Sequence, residues 1–114
     1  MLLYNFTNHP QDEYIAFFQQ HGFDEVTAPM HPEITPDMTE EEIIETIAKA
    51  LPTDLAGKHF LVQGMSNVCH YAVTLIQRGG GTAYYVLTER LLDENGRFVF
   101  LPVALRKYAD IGHT

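Results

Sequence analysis

A short apolar segment, a glycine turn and an amphipathic helix in the middle of the chain constrain the fold most. Residues 59–63 read His-Phe-Leu-Val-Gln, which is typical of a buried strand. Gly64 breaks the strand and Ser66 can cap a helix, whose apolar residues keep helical spacing up to three glycines at 79–81. A strand, a tight turn and a helix form the repeating unit of a parallel α/β sheet.

The first quarter of the chain predicts another strand, helix and strand. Residues 2–6 form a short apolar segment, which favours a strand. Pro10 suits the first turn of a helix over residues 11–21, and Gly22 can end that helix in a left-handed conformation. Residues 23–28 predict a second strand before a proline-rich loop.

A capping-box pattern begins the next helix. Glu42 follows Thr39 by three residues, and an apolar stripe continues to Leu51 before Pro52 ends the helix. Acidic residues in the first turn are favoured by the helix dipole. We therefore interpret the acidic run at 40–45 as solvated helix surface and not as a ligand cluster.

The last third of the chain predicts two strands joined by a turn. Residues 83–87 form a fourth strand that can extend through Leu92, and the Asp-Glu-Asn-Gly sequence at 93–96 is a turn signal before a strand at 97–105. The complete pattern predicts a Rossmann-like α/β fold. Its sheet is mostly parallel, with helices on both faces and a C-terminal antiparallel hairpin.

Length and composition predict a single domain over residues 1–114. The chain is 46% hydrophobic and 19% charged, which excludes a disordered tail. We expect a cytoplasmic protein without membrane association, because no apolar run approaches about 20 residues and the N-terminus lacks a secretory pattern. Cys69 is the single cysteine and the histidines share no ligand spacing, so we expect neither a metal nor a cofactor.

Charge is distributed unevenly along the chain. The formal net charge is −8, with eleven acids and one base in residues 1–57 but four acids and six bases in residues 58–114. Long-range repulsion from the acidic half opposes binding of duplex DNA. A small anion held by a local cluster is compatible with this distribution.

Two loops are expected to meet at one edge of the sheet, since ligands of parallel α/β sheets bind outside the carboxyl ends of the strands. The loops comprise residues 5–9 and 63–67, and both supply amides, hydroxyls and backbone N–H groups that suit an anion or a nucleotide. A tight turn and an ordinary helix cap would also explain the second loop. The candidate ligand-binding residues are Asn5, Thr7, Asn8, Gln63, Gly64, Met65, Asn67 and Thr88.

Three further residues are candidates for catalysis. The His9 imidazole titrates near neutrality and could protonate a leaving group, although it could equally pack within its loop. Arg90 follows the core of the fourth strand, so its guanidinium could hang over the same edge as the two loops and clamp a phosphate. Ser66 could cap a helix whose first N–H groups face a phosphate.

Four short blocks of the sequence resemble a known group of proteins. The blocks are Leu-Leu-Tyr-Asn-Phe-Thr-Asn-His-Pro at 2–10, Phe-Leu-Val-Gln-Gly at 60–64, Val-Leu-Thr-Glu-Arg at 86–90, and residues 98–108. In this order they resemble small ring-nuclease-like accessory proteins of type III CRISPR systems. The central loop of this chain has no lysine, which departs from that pattern.

The resemblance implies a fold related to the CARF sensor domain and a homodimer with its ligand across the twofold axis. The implied activity is that of a ring nuclease, which cleaves cyclic oligoadenylate, chiefly the tetra-adenylate, and so switches off antiviral signalling. Ligand residues implied by similarity are Thr7, Asn8, His9, residues 63–67, Thr88 and Arg90.

The implied reaction needs no metal. A 2′-hydroxyl of the ligand attacks the adjacent phosphate and leaves a 2′,3′-cyclic phosphate, so positioning supplies most of the rate. Arg90 and the helix start at Ser66 would stabilise the pentavalent phosphate, while His9 would protonate the 5′ oxygen. The open alternatives are binding of cyclic oligoadenylate without cleavage, a protein-interaction domain without a nucleotide site, and a metal-dependent hydrolase.

Overall fold

The computed structural model describes residues 1–7, 12–64 and 66–111, and its strands and helices alternate as the sequence predicts. The α/β class, the mostly parallel sheet and the C-terminal hairpin are confirmed. The elements are β1 (Leu2–Phe6), a 3-10 turn (Asp12–Tyr14), α1 (Ile15–Gln20), β2 (Glu25–Val26), α2 (Glu40–Ala50), β3 (His59–Val62), α3 (Asn67–Arg78), β4 (Thr82–Leu92) and β5 (Phe98–Lys107).

The five strands form one sheet in the order β2-β1-β3-β4-β5. The three pairings among β2, β1, β3 and β4 are parallel, and β5 is antiparallel to β4. The chain leaves β1 toward β2 on one side and returns to β3 on the other, so the strand order reverses between β1 and β3. Phe6 pairs with Val62, and the carboxyl ends of β1 and β3 therefore lie side by side.

The helix ends follow the predicted local chemistry. The Thr39 hydroxyl accepts a hydrogen bond from the Glu42 N–H at 3.2 Å, and the Glu42 carboxylate accepts one from the Thr39 N–H at 3.3 Å. This reciprocal pair is the predicted capping box. Gly22 has a φ of +87°, as expected for a glycine just after the C-cap of α1.

Two elements differ from their predicted bounds. The helix expected over residues 11–21 is the shorter α1 after a 3-10 turn, and Pro10 and Gln11 lie outside the described residues. The strand expected at 23–28 is only the two-residue β2. After β2 the chain stays beside β1, where the Met30 N–H donates to the Asn5 carbonyl at 2.9 Å, but Pro29 has no N–H with which to continue a regular ladder.

Buried side chains form two clusters, and alternate residues of β3 belong to different ones. Phe60 and Val62 join a cluster that holds Ile47 of α2 and Ile76 of α3. Leu61 joins a cluster that holds Phe18 of α1. The period of two along a strand thus separates the side chains that pack against α2 and α3 from those that pack against α1.

The hairpin of β4 and β5 continues beyond the rest of the sheet. Pairing between β3 and β4 ends at Leu61 and Tyr84, whereas pairing between β4 and β5 continues to Leu92 and Phe98. We call residues 87–103 the arm. The six residues of β4 within it span about 20 Å at 3.3 Å per residue. In the part of the chain that the structure describes, no helix has the length and apolar character to cross a bilayer.

Candidate functional site

The two loops predicted to meet begin at neighbouring strand ends. We call this edge the rim and define it by Asn5, Thr7, Gln63, Gly64, Ser66 and Asn67. The rim lies where the strand order reverses, which is the usual ligand position in an open α/β sheet. Three predicted site residues, Asn8, His9 and Met65, lie outside the described residues.

Asn5 and Thr7 are buried at the end of β1. Each is 1% exposed, and the Thr7 hydroxyl donates to the Asn5 side-chain oxygen at 2.6 Å. The Asn5 N–H donates to the Thr27 hydroxyl at 2.9 Å. These bonds brace the strand end, and both side chains are shielded from solvent. Their predicted ligand contacts stay predictions.

Gln63 extends the pairing of β3 with β4 by one step. Its side-chain nitrogen donates to the Val86 carbonyl at 3.1 Å, and its side-chain oxygen accepts from the Val86 N–H at 2.9 Å. The carboxamide thus makes the two hydrogen bonds to Val86 that the backbone of a longer β3 would make. Sequence reasoning assigned Gln63 to ligand binding and missed this clamp, because Val86 is 23 residues away and no local pattern indicates the contact.

The turn between β3 and α3 is held by its own contacts. Gly64 has a φ of +134°, and a Cβ there would lie 3.0 Å from the Cys69 Sγ. The Ser66 hydroxyl accepts from the Cys69 N–H at 3.4 Å, so the predicted cap of α3 is confirmed. The Cys69 thiol also lies 3.6 Å from the Gln63 carbonyl, to which it donates. Asn67, the first residue of α3, is exposed.

Two cavities flank Gly64 on the rim. We call the larger the Tyr85 cavity; it measures about 580 Å³ and is lined by Gln63, Gly64, Tyr85, Val86, Leu87, Thr88, Tyr108 and Ala109. The smaller, the Cys69 cavity, measures about 250 Å³ and is lined by Gly64, Ser66, Cys69, His70, Val73, Tyr108 and Ile111. The two cavities share Gly64 and Tyr108 in their linings. Together they are lined by four of the predicted site residues, Gln63, Gly64, Ser66 and Thr88.

Tyr108 lines both cavities and was not predicted as a site residue. Its hydroxyl donates to the Val62 carbonyl at the end of β3, and its ring lies 4.9 Å from the Tyr85 ring. Burial, with smaller contributions from Cys69 and Tyr85, raises the pKa of Tyr108 to about 12. The phenol therefore stays protonated near neutrality and acts as a donor. Gln77 on α3 holds the following segment through the Ala109 carbonyl at 2.9 Å.

A third cavity of about 590 Å³ also contains Gln63 and Thr88. Its other lining residues are Glu13, Tyr14 and the first four residues of β5. The Tyr14 hydroxyl donates to the Phe100 carbonyl at 3.4 Å, which connects the arm to the turn before α1. Burial followed by the charge of Glu13 raises the pKa of Tyr14.

Arg90 lies on the arm and lines none of these three cavities. It pairs with Phe100 across the hairpin, and its guanidinium carbon lies 4.5 Å from the centre of the Phe98 ring. It lies four positions after Val86, which corresponds to about 13 Å along the strand. We expected this side chain over the rim, and its role as a phosphate clamp stays a prediction.

The described lining of the two rim cavities carries no Asp, Glu, Lys or Arg side chain. The chemical groups available there are hydroxyl groups, backbone N–H groups, the His70 imidazole and the tyrosine rings. Within residues 1–7, 12–64 and 66–111, no three His, Cys, Asp or Glu side chains are grouped to hold a metal ion.

Comparison of the chain with protein-family models, with curated proteins and with solved structures gives no match. The resemblance to type III CRISPR accessory proteins therefore rests on the four sequence blocks alone.

Proposed function

We propose that this chain binds a cyclic oligoadenylate at the rim. The observation that carries the proposal is the reversal of strand order between β1 and β3, with the Tyr85 cavity opening beside Gly64. Ligands of open α/β sheets bind at such a reversal. The proposal includes a Rossmann-like fold with helices on both faces of the sheet, supported by the alternation of β3 side chains between the two buried clusters.

The chemistry of the lining suits the parts of an adenylate. Tyr85 and Tyr108 offer aromatic rings, and stacking of a base on such a ring contributes about 1 to 3 kcal/mol. The hydroxyls of Ser66 and Thr88 and the backbone N–H groups at the start of α3 suit phosphate oxygens. The glycine turn lets the ligand approach the backbone closely.

A cyclic tetra-adenylate is larger than one rim cavity. The volume of about 580 Å³ suits a ligand of drug size. A homodimer with the ligand across its twofold axis doubles the number of hydroxyl and N–H donors around it. The proposed partners are therefore this ligand and a second copy of the chain, in the cytoplasm.

Cleavage of the bound ring without metal is the activity that we propose. The 2′ oxygen bonds to the adjacent phosphorus, the bond from phosphorus to the 5′ oxygen breaks, and a 2′,3′-cyclic phosphate and a 5′ hydroxyl result. The 2′-hydroxyl loses its proton to water while His9 protonates the 5′ oxygen. Arg90 and the start of α3 at Ser66 stabilise the phosphate in the transition state. Loss of the ring switches off type III CRISPR signalling.

Binding without cleavage is the second candidate. The observations that favour it are the absence of charged side chains from the described lining of the rim cavities and the contact of Arg90 with the Phe98 ring. A protein of this kind acts as a sponge or a sensor for the same ligand.

One assay separates these functions. Labelled cyclic tetra-adenylate is incubated with the protein in EDTA, and the ligand is recovered after denaturation. Linear products support the ring nuclease, and intact ligand with measurable affinity supports the binding protein. Activity that requires added metal indicates a metal-dependent hydrolase. If calorimetry finds no affinity for any cyclic oligoadenylate, the proposal is wrong and an interaction domain remains.

Two substitutions test the residue roles. Arg90→Ala should weaken binding and slow turnover about a hundredfold or more, because a phosphate clamp acts in both the ground state and the transition state. Lys49→Ala removes one positive charge from the exposed surface of α2, away from the rim and the arm, and should change neither. His9→Ala should slow cleavage with little change in affinity. Unchanged turnover in both the Arg90 and the His9 variants contradicts the assignment.

A further inference from the structure

The arm exposes more apolar surface than any other part of the described chain. Its exposed large hydrophobic residues are Leu87, Leu91, Leu92, Phe98, Val99, Phe100, Leu101 and Val103, with exposed fractions from 37% to 64%. Among the described residues, Met1 alone is an exposed large hydrophobic residue outside the arm. The exposure is therefore concentrated in one two-stranded ribbon.

The amount of surface matches one side of a stable interface. With roughly 200 Å² for each complete residue, the exposed fractions correspond to on the order of 800 Å², which is about what a standard interface buries on each partner. The largest apolar patch of an ordinary monomer is about 300 to 600 Å². A two-stranded hairpin is at best marginally stable in water without further packing. We therefore expect this ribbon to pack against another apolar surface.

Both faces of the ribbon expose apolar side chains. Leu91 pairs with Val99 and Leu92 with Phe98, and neighbouring positions along a strand lie on opposite faces. A flat partner surface would cover one face only. Two twisted ribbons that wrap around each other cover both faces of each, and a twofold axis supplies the second ribbon from an identical chain.

Charge favours a second copy as the occupant. The arm carries three acids and two bases, Glu89, Asp93, Glu94, Arg90 and Arg97, so two arms approach each other with little repulsion. Residues 1–57 carry eleven acids and one base, and approach through that half is opposed. The acids Asp93 and Glu94 at the tip also oppose insertion into an anionic bilayer.

We propose that the arm is the dimer interface of this protein and that the arms of two copies clasp each other through their apolar faces. This inference names the interface of the proposed homodimer, and it does not depend on the ligand. Thr88 lies at the base of the arm and lines the Tyr85 cavity, so the clasp brings the rims of both copies next to the interface.

Sedimentation velocity of the ligand-free protein over a range of concentrations tests the interface. We expect the parent chain to form a dimer. Leu91→Glu should raise the dissociation constant of this dimer by about tenfold or more, because a carboxylate would be buried in an apolar contact. The control Gln20→Glu adds the same charge to exposed surface of α1 and should leave the dimer unchanged. Thermal melting establishes that both variants fold.

A second measurement does not depend on any variant. Amide hydrogen exchange in residues 87–103 should slow as the concentration of the parent protein rises into the dimer range. A parent chain that stays monomeric at every concentration overturns the inference, as does a Leu91→Glu dimer of unchanged affinity. A monomer whose arm binds phosphatidylserine vesicles also overturns it. None of these results concerns ligand affinity, so a failure here is distinct from a failure of the proposed function.

Discussion

Gly64 occupies a backbone conformation that strongly disfavours any side chain. Its φ of +134° lies in a region that is essentially restricted to glycine, and a Cβ would also meet the Cys69 Sγ at 3.0 Å. We expect Gly64→Ala to lower the free energy of unfolding by about 2 to 3 kcal/mol, measured by urea denaturation. Gly96→Ala is the matched control, because its φ is +74° with no atom within 4 Å, and it should cost about 1 to 2 kcal/mol. Equal losses would contradict the close approach at Gly64.

His59 gives the protein a pH dependence of stability. Its Nδ1 lies 2.9 Å from the Tyr84 hydroxyl, and burial, with smaller contributions from the positive charges of Lys107 and the N-terminus, lowers its pKa below 6.5. The unfolded chain therefore binds a proton first as the pH falls, so this contribution to stability is present above pH 6.5 and is lost below it.

We expect a lower melting temperature at pH 5.5 than at pH 7.5, and a smaller difference between the two pH values in His59→Gln. Thermal unfolding followed by circular dichroism measures both. His70→Gln, which removes an exposed imidazole from α3, serves as the composition control. A His59→Gln variant with the pH dependence of the parent would exclude His59 as its source.

At the scale of elements, β3 is short and a side chain completes its pairing with β4. Gln63→Leu removes the carboxamide and leaves the N–H and C=O of Val86 without that partner. The expected loss of stability is about 1 to 3 kcal/mol in urea denaturation, the usual cost of unsatisfied polar groups. Gln20→Leu, at an exposed position of α1, should change stability by less than about 0.5 kcal/mol. A Gln63→Leu protein as stable as the parent would show that these hydrogen bonds do not stabilise the fold.

Elements with complete local signals were predictable from the sequence. The capping box of Thr39 and Glu42, the turn before α3 and the hairpin turn at 93–96 each depend on residues within a few positions of one another. β2 was overestimated, because its length depends on pairing with β1 and not on its own composition. Tyr108 was missed because its hydroxyl bonds to Val62, which is 46 residues away.

The long strand β4 connects the rim to the arm. Val86 pairs with the Gln63 side chain at the rim, and the same strand continues through Leu92 into the arm. The candidate ligand site and the proposed dimer interface therefore share one element. The acids of residues 1–57 are separate in sequence from both the arm and β3.

This arrangement predicts that ligand and dimer are coupled. Cyclic tetra-adenylate that contacts the rims of both copies should lower the dissociation constant of the dimer, because it binds the dimer more tightly than the monomer. Sedimentation with and without ligand measures the change. Binding that leaves the dimer constant unaltered would mean that each rim acts alone.

The proposed function requires that one cyclic nucleotide bind at the rim. Titration of ¹⁵N-labelled protein with cyclic tetra-adenylate in EDTA, followed by amide chemical shifts, tests this binding site. We predict the largest changes at Gly64, Ser66, Asn67 and Thr88, with the amides of α2 unaffected. Saturating shifts confined to α2, or no shifts at any concentration of ligand, would contradict the claim.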